Sequence, residues 1–216
     1  MSLPVNFFPS QKNPIMPDSS TLRAALLHRI ATLSFRLGSF TLSSGAHSDY
    51  YIDCRTTTLS AEGGRLAGLA LYDAIRHAGL RPVAIGGLTM GADPLVSNTT
   101  NASAWAHASD PSAPLIDGFL VRKAEKTHGA NRRVEGFCQP GAAVAIVDDV
   151  CTTGASTIQA IQAARDAGMQ VVGVFCLVDR EEQGGRAAVE AAAQGAPFIA
   201  LFTAGDIRAA HVAAKG

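Results

Sequence analysis

Two hydrophobic rhythms alternate along the chain. Leu22, Leu26, Ile30 and Leu33 recur at helical spacing, which predicts a helix laying one apolar stripe on a core. A second helix is predicted from about 61 to 78, closed by Gly79 in the position of a C-cap. Between them, "GSFTLSSGAHSDYYIDCR" (Gly38 to Arg55) reads as short extended pieces around a Ser-Gly turn. Further on, "PVAIGG" (82–87), "DGFLV" (117–121), "AAVAIV" (142–147), "QVVGVFCLVD" (170–179) and "PFIALF" (197–202) are unbroken apolar runs of strand length. Helical patterns at 154–168 and about 182–194 separate the last three.

Strands that are apolar on both faces and alternate with helices predict an α/β fold, a central parallel sheet flanked by helices. Residues 1–18 carry four prolines and little to bury, and read as an irregular arm. The remainder, 19–216, reads as a single domain, with a small N-terminal hood contributed mainly by about 19–60. The helix begun in "LTMGADPLV" is expected to fade in the polar stretch 98–114, with Trp105 anchoring a loop there. The charged segment 122–136 has no apolar period and reads as an exposed loop.

Composition narrows the function. Eighteen basic residues balance eighteen acidic ones, so there is no bulk attraction to nucleic acid or to an anionic membrane. No basic face with interleaved aromatics supports a nucleic-acid module. The apolar runs are too short to span a bilayer. Cys54, Cys138, Cys151 and Cys176 form no CxxC pair or zinc spacing. With no secretory leader in the sequence, a reduced, cytoplasmic enzyme is expected.

The chemistry concentrates in "VAIVDDVCTTGAS" (144–156). An apolar strand ends in Asp148 and Asp149, at the edge where open α/β sheets bind ligands. Thr152, Thr153, Gly154, Ala155 and Ser156 follow, leading into a helix whose N-terminal N–H groups favour a phosphate. There is no GxxxxGK[ST] loop. The carboxylates cannot bind phosphate, but they can accept hydrogen bonds from ribose hydroxyls or hold Mg²⁺ through water. Alone, an Asp-Asp pair before a Thr-rich turn is also compatible with simple helix capping.

The whole stretch resembles the phosphoribosyl-pyrophosphate (PRPP) motif of type I phosphoribosyltransferases, and three more pieces resemble the orotate phosphoribosyltransferases among them. These are "FTLSSGAHSDYYIDCR", "RKAEKTHG" (Arg122 to Gly129) and "LVDREEQGG" (177–185). The resemblance implies the fold of that family and transfer of a phosphoribosyl group from PRPP to orotate in pyrimidine synthesis. It implies Mg²⁺ bound mainly through PRPP and water, and a homodimer whose mobile loop reaches the neighbouring site. PRPP would be held by Arg122, Lys123, Lys126, His128, Asp148, Asp149 and the 152–156 loop. Lys126, His128 and the two aspartates would carry catalysis. Orotate would lie against Tyr51, Ile52, Thr152 and Arg180, the arginine clamping its carboxylate.

Taken alone, the 122–129 run also reads as a solvated charged surface, Tyr50 as core packing, and Arg180 as a surface ion pair with Glu181 or Glu182. His47 and His107 read as isolated surface or satisfied histidines. Cys151 reads as a small packing residue, although helix N–H groups beside it can lower a thiol pKa. Ser43 and Met90 stand where some relatives carry lysine. Two alternatives stay open: a phosphoribosyltransferase for another base, and a non-catalytic sensor of PRPP or a nucleotide.

Overall fold

The computed structural model describes residues 18–41, 47–123 and 133–215. Asp18 opens the first helix, α1 (Ser19–Leu33), accepting hydrogen bonds from the Ser20 and Thr21 N–H groups. Leu22, Leu26 and Ile30 are buried along its stripe, whereas Leu33 is exposed. Strands β1 (Phe35–Thr41) and β2 (His47–Ile52) pair antiparallel as a small separate sheet. A single turn, α2 (Arg55–Thr58), then leads to α3 (Ala61–His77), where Gly79 adopts φ +69° just beyond the C-cap.

The main sheet contains β3 (Ala84–Leu88), β4 (Asp117–Val121), β5 (Val134–Gly136), β6 (Ala143–Cys151), β7 (Gln170–Asp179) and β8 (Phe198–Thr203). Their spatial order is β5-β4-β3-β6-β7-β8, parallel except for the antiparallel edge pair β4–β5. The α/β expectation holds, and the fold adds a small N-terminal sheet. Four more helices complete it: α4 (Asp93–Ser109), α5 (Ala155–Asp166), α6 (Gly185–Ala193) and α7 (Ala204–Ala213).

Side chains alternate between faces along each central strand. Ala145, Val147, Phe175 and Leu177 join α1, α3, α4 and α7 in one apolar core. Val144, Ile146, Val174 and Cys176 join α5 and α6 in the other. A register shift interrupts the β6–β7 pairing between Val144 and Ala145, where Val171 and Gly173 are the successive partners. Beyond it the ladder runs regularly and brings Cys151 opposite Asp179.

Four expectations need correction. Helix α4 does not fade in 98–114; it continues to Ser109. Its first turn buries Leu95 and Val96, but from Asn98 on the buried face is small rather than apolar, with Thr99 and Ser103 buried beside Ala102. Thr100 Oγ1 donates to Val96 O at 2.8 Å, and Ser103 Oγ donates to Thr100 O at 2.8 Å and accepts from Ile116 N at 3.1 Å, whereas Thr99 Oγ1 has no hydrogen-bond partner among the described residues. Small side chains let α3 approach so closely that a Cβ on Gly68 would lie 2.3 Å from Asn98 O. Trp105 anchors no loop; it is 57% exposed on this helix, while His107 ties the helix end to Ala113 O at 2.8 Å. The far end of the 122–136 segment forms β5. Finally, α6 starts later than expected, because Glu181, Gln183 and Gly184 take left-handed backbone conformations before it.

Candidate active site

Beyond the carboxyl ends of β3, β6 and β7 lies a cleft of about 720 Å³, walled on one side by β2. Asp148, Asp149, Thr152, Thr153, Ser156 and Arg180 line it, as do Tyr51, Ile52 and Lys123. Most of the singled-out residues from four distant segments therefore meet in one place. Lys126, His128 and Ser43 lie outside the described residues. Arg122 stands apart from the cleft lining, just after β4, with its Nε 3.1 Å from Glu135.

Strand pleating explains the acid pair. Asp148 falls on the α5 side, where its Oδ2 accepts from Thr157 Oγ1 at 2.7 Å and its Oδ1 from the Asp149 N–H at 3.0 Å. Asp149 falls on the opposite side, against the turn after β3. A Cβ on Gly91 would sit 2.5 Å from its Oδ1, so glycine lets this turn close on the carboxylate. Burial pushes both carboxyls above their usual range, and for Asp148 the charge of Asp149 adds to it. Such a pair favours a ligand that brings hydroxyl donors or a cation. Among the described residues no cluster of three or more His, Cys, Asp or Glu side chains is placed to hold a metal. Two adjacent carboxylates fit Mg²⁺ carried mainly by substrate oxygens and water.

The phosphate end follows from α5. Gly154 is its N-cap, at φ +75°, and supplies no capping side chain. The first N–H groups of a helix have no partner within it, and here their positive end faces a cleft lined by Thr152, Thr153 and Ser156. Gly154 is fixed by packing as well as by conformation, since a Cβ there would lie 2.6 Å from Val189 Cγ2. We expect Gly154→Ala to cost about 1–3 kcal/mol through strain and overpacking. Thermal unfolding checks this; an unchanged Tm would count against that fit.

Arg180 is no surface pair. It is only 6% exposed, and its backbone N–H donates to Cys151 O at 2.9 Å, joining β7 to the phosphate turn. Its Nη2 reaches Ser48 Oγ at 3.2 Å and Glu182 at 3.1 Å. The Nε is buried without a hydrogen-bond partner, a donor suited to a carboxylate. Tyr50 packs as core: it stacks on Phe35 with ring centroids 5.5 Å apart, and the Arg180 and Arg208 guanidinium groups lie 4.5 and 5.3 Å from its ring centre. Its hydroxyl donates to Glu182; burial first, then that bond, pushes its pKa up to about 12. Tyr51 is 41% exposed and lines the cleft, its ring 5.6 Å from that of Phe40. Cys151 is buried, and burial pushes its thiol up to about 11, the reverse of activation.

Three features in or behind the cleft lining are not evident in the sequence. Arg55 and Asp53 form a bidentate pair, Nε to Oδ1 and Nη2 to Oδ2, each 2.8 Å. Asp179, fully buried, accepts from Glu181 N at 2.9 Å and from Arg186 Nε at 2.9 Å, and so holds the turn that presents Arg180. The Thr89–Met90 peptide bond is cis, and Met90, 67% exposed, stands in the cleft wall. The D-C-R spacing was the available signal for the first; nothing local marked the other two.

No family model matches the chain. Individual proteins match it well. The orotate phosphoribosyltransferase of Aquifex aeolicus is 43% identical over 168 residues, covering 78% of this chain and 86% of that protein. The orotate phosphoribosyltransferase of Streptomyces avermitilis is 45% identical over 177 residues, covering 82% and 92%. The crystal structure of the orotate phosphoribosyltransferase of Mycobacterium tuberculosis H37Rv in complex with PRPP is similar at a TM-score of 0.68 and 33% identity, over 86% of this chain and 98% of that one. At such identity over most of both chains, with the same fold, this protein belongs to the orotate phosphoribosyltransferase family.

Proposed function

We propose that the cleft transfers the 5-phosphoribosyl group of PRPP to orotate, giving orotidine 5′-monophosphate and pyrophosphate in pyrimidine biosynthesis. One observation carries the reading: a single cleft is lined by an acid pair at a strand end, the start of α5 with its glycine cap, and a buried arginine whose Nε has no partner. These suit, in turn, ribose hydroxyls, a 5′-phosphate and a flat carboxylated base.

In this mechanism the 152–156 turn and the start of α5 hold the 5′-phosphate. Asp148 and Asp149 accept from the ribose hydroxyls and offset positive charge that develops on the sugar as pyrophosphate leaves C1. Arg180 clamps the orotate carboxylate, beside Tyr51 and Ile52. Arg122 and Lys123, with Lys126 and His128 of the segment that follows, offset the growing charge of pyrophosphate, and closure of that segment excludes water. Mg²⁺, bound chiefly by PRPP and water, supplies further neutralisation. No covalent intermediate is required; position and charge do the chemistry. We read residues 19–216 as one phosphoribosyltransferase domain working in the cytoplasm. In support, Cys54, Cys138, Cys151 and Cys176 are all unpaired, and no described helix is long and apolar enough to cross a membrane.

The test is loss of orotate absorbance on mixing protein, orotate, PRPP and Mg²⁺. Loss that needs all of them, with orotidine 5′-monophosphate as product, supports the reading. Bound PRPP without turnover would favour the sensor.

We also propose a homodimer with shared sites. Lys126→Ala is expected to slow turnover about 10- to 100-fold with the fold intact. Mixing it with Arg180→Ala and allowing subunits to exchange should restore about a quarter of wild-type activity, because half of the dimers then carry one intact site. No recovery after proven exchange would place both residues in the site of one subunit.

A further inference from the structure

Among the described residues, three cations line the cleft: Arg55, Lys123 and Arg180. Arg180 is engaged with Ser48, Glu182 and Tyr50. Lys123 lies two residues beyond the end of β4. Arg55 is the first residue of α2 and lines the cleft with Asp149 and the 89–91 turn. That turn presents Met90, which carries no charge. Asp53 engages the Arg55 Nε and one Nη2 hydrogen, which fixes the guanidinium plane. An arginine has five donors; the Nη1 group and the second Nη2 hydrogen remain, on a side chain 43% exposed. The carboxylate is itself held below the usual range, first by its hydrogen bond from Arg55, so the pair stays ionised and oriented without a ligand. The negative charge of Asp149 also acts on Arg55, which shows how near the guanidinium stands to the acid edge.

We propose that Arg55 is a binding residue for the diphosphate of PRPP: its guanidinium, held in plane by Asp53, donates hydrogen bonds to the diphosphate and stays with pyrophosphate as the C1–O bond breaks. No proton moves to or from Arg55; its part is fixed positive charge. The proposal rests on the phosphoribosyl-transfer reading above. The competing account is an ion pair at the cleft rim with no ligand, worth little.

Calorimetric titration separates them. Wild type, Arg55→Gln and Arg55→Lys are titrated, with Mg²⁺, with PRPP, inorganic pyrophosphate and orotidine 5′-monophosphate. Arg55→Gln is expected to weaken PRPP and pyrophosphate about 10- to 100-fold, as loss of a charge-assisted contact does. Orotidine 5′-monophosphate, which has no diphosphate, should bind within about twofold of wild type, and Arg55→Lys should recover part of the loss because the charge returns without the fork. In turnover, kcat/KM for PRPP should fall while KM for orotate at saturating PRPP stays put. Pyrophosphate binding to Arg55→Gln as tightly as to wild type overturns the proposal. So does an equal loss for all three ligands with a lowered Tm, the sign of a damaged cleft. If wild type binds PRPP and pyrophosphate yet consumes no orotate, the reaction assigned above fails while the titrations still decide Arg55.

Discussion

Arg180→Ala is expected to raise KM for orotate by about two to three orders of magnitude while changing the Kd for PRPP by no more than about threefold. Truncating one partner of a buried, hydrogen-bonded charge pair costs about 2–5 kcal/mol, and Arg180 is buried between Tyr50, Ser48 and Glu182. The asymmetry follows from position. The start of α5 and the acid pair do not depend on its guanidinium, whereas its partnerless Nε belongs to the other end of the cleft. Arg180→Lys should rescue little, since an ammonium cannot reproduce two parallel hydrogen bonds. Steady-state kinetics in both substrates, with PRPP titrations, check this. Equal losses for both ligands would remove Arg180 from base recognition.

Asp148→Asn is expected to change activity and stability in opposite directions. Turnover should fall about 10²- to 10³-fold, because an amide no longer offsets charge on the ribosyl group. Stability should rise. Burial, then the charge of Asp149, pushes the Asp148 carboxyl well up, so the folded state holds a proton that the unfolded chain releases at lower pH. Its contribution to stability therefore falls as pH climbs from the ordinary carboxylate range through the raised value, and the whole cost is present above it. Asparagine never ionises and keeps a partner in Thr157, whose hydroxyl can turn to accept. The variant should melt a few degrees above wild type at pH 8, with the gap closing toward pH 4. A lower Tm at pH 8, or an undiminished kcat, would contradict this account of the pair.

Much of this was legible in the chain because the strong signals were local. Apolar runs on both faces marked β3, β6, β7 and β8, and thirteen consecutive residues marked the phosphate turn. What failed to show was set by partners distant in sequence. Helix α4 buries small hydroxyl residues, so hydropathy does not register its inner face; only the close approach of α3 explains it. Helix α7 is announced by Thr203 and Asp206, a capping box, but that signal is short and directly follows an apolar strand. The burial of Tyr50 and Arg180 depends on Phe35, Glu182 and Arg208, brought together from both ends of the chain. Arg55 closes the quoted Gly38–Arg55 stretch, but its place in the cleft wall at the start of α2 depends on strands and turns far from it in sequence.

The pleat of β6, unbroken across the register shift because the extra residue there is Val172 of β7, constrains how this site can vary in descent. From Val144 to Val147, β6 sends odd and even residues to different cores, and the next two residues divide in the same way, Asp148 against Thr157 and Asp149 against Gly91. Substitutions in this stretch leave the count untouched. A single inserted or deleted residue reverses its parity, exchanging the two acids between α5 and the Gly91 turn. This stretch of β6 can therefore drift in composition but not by odd changes in length.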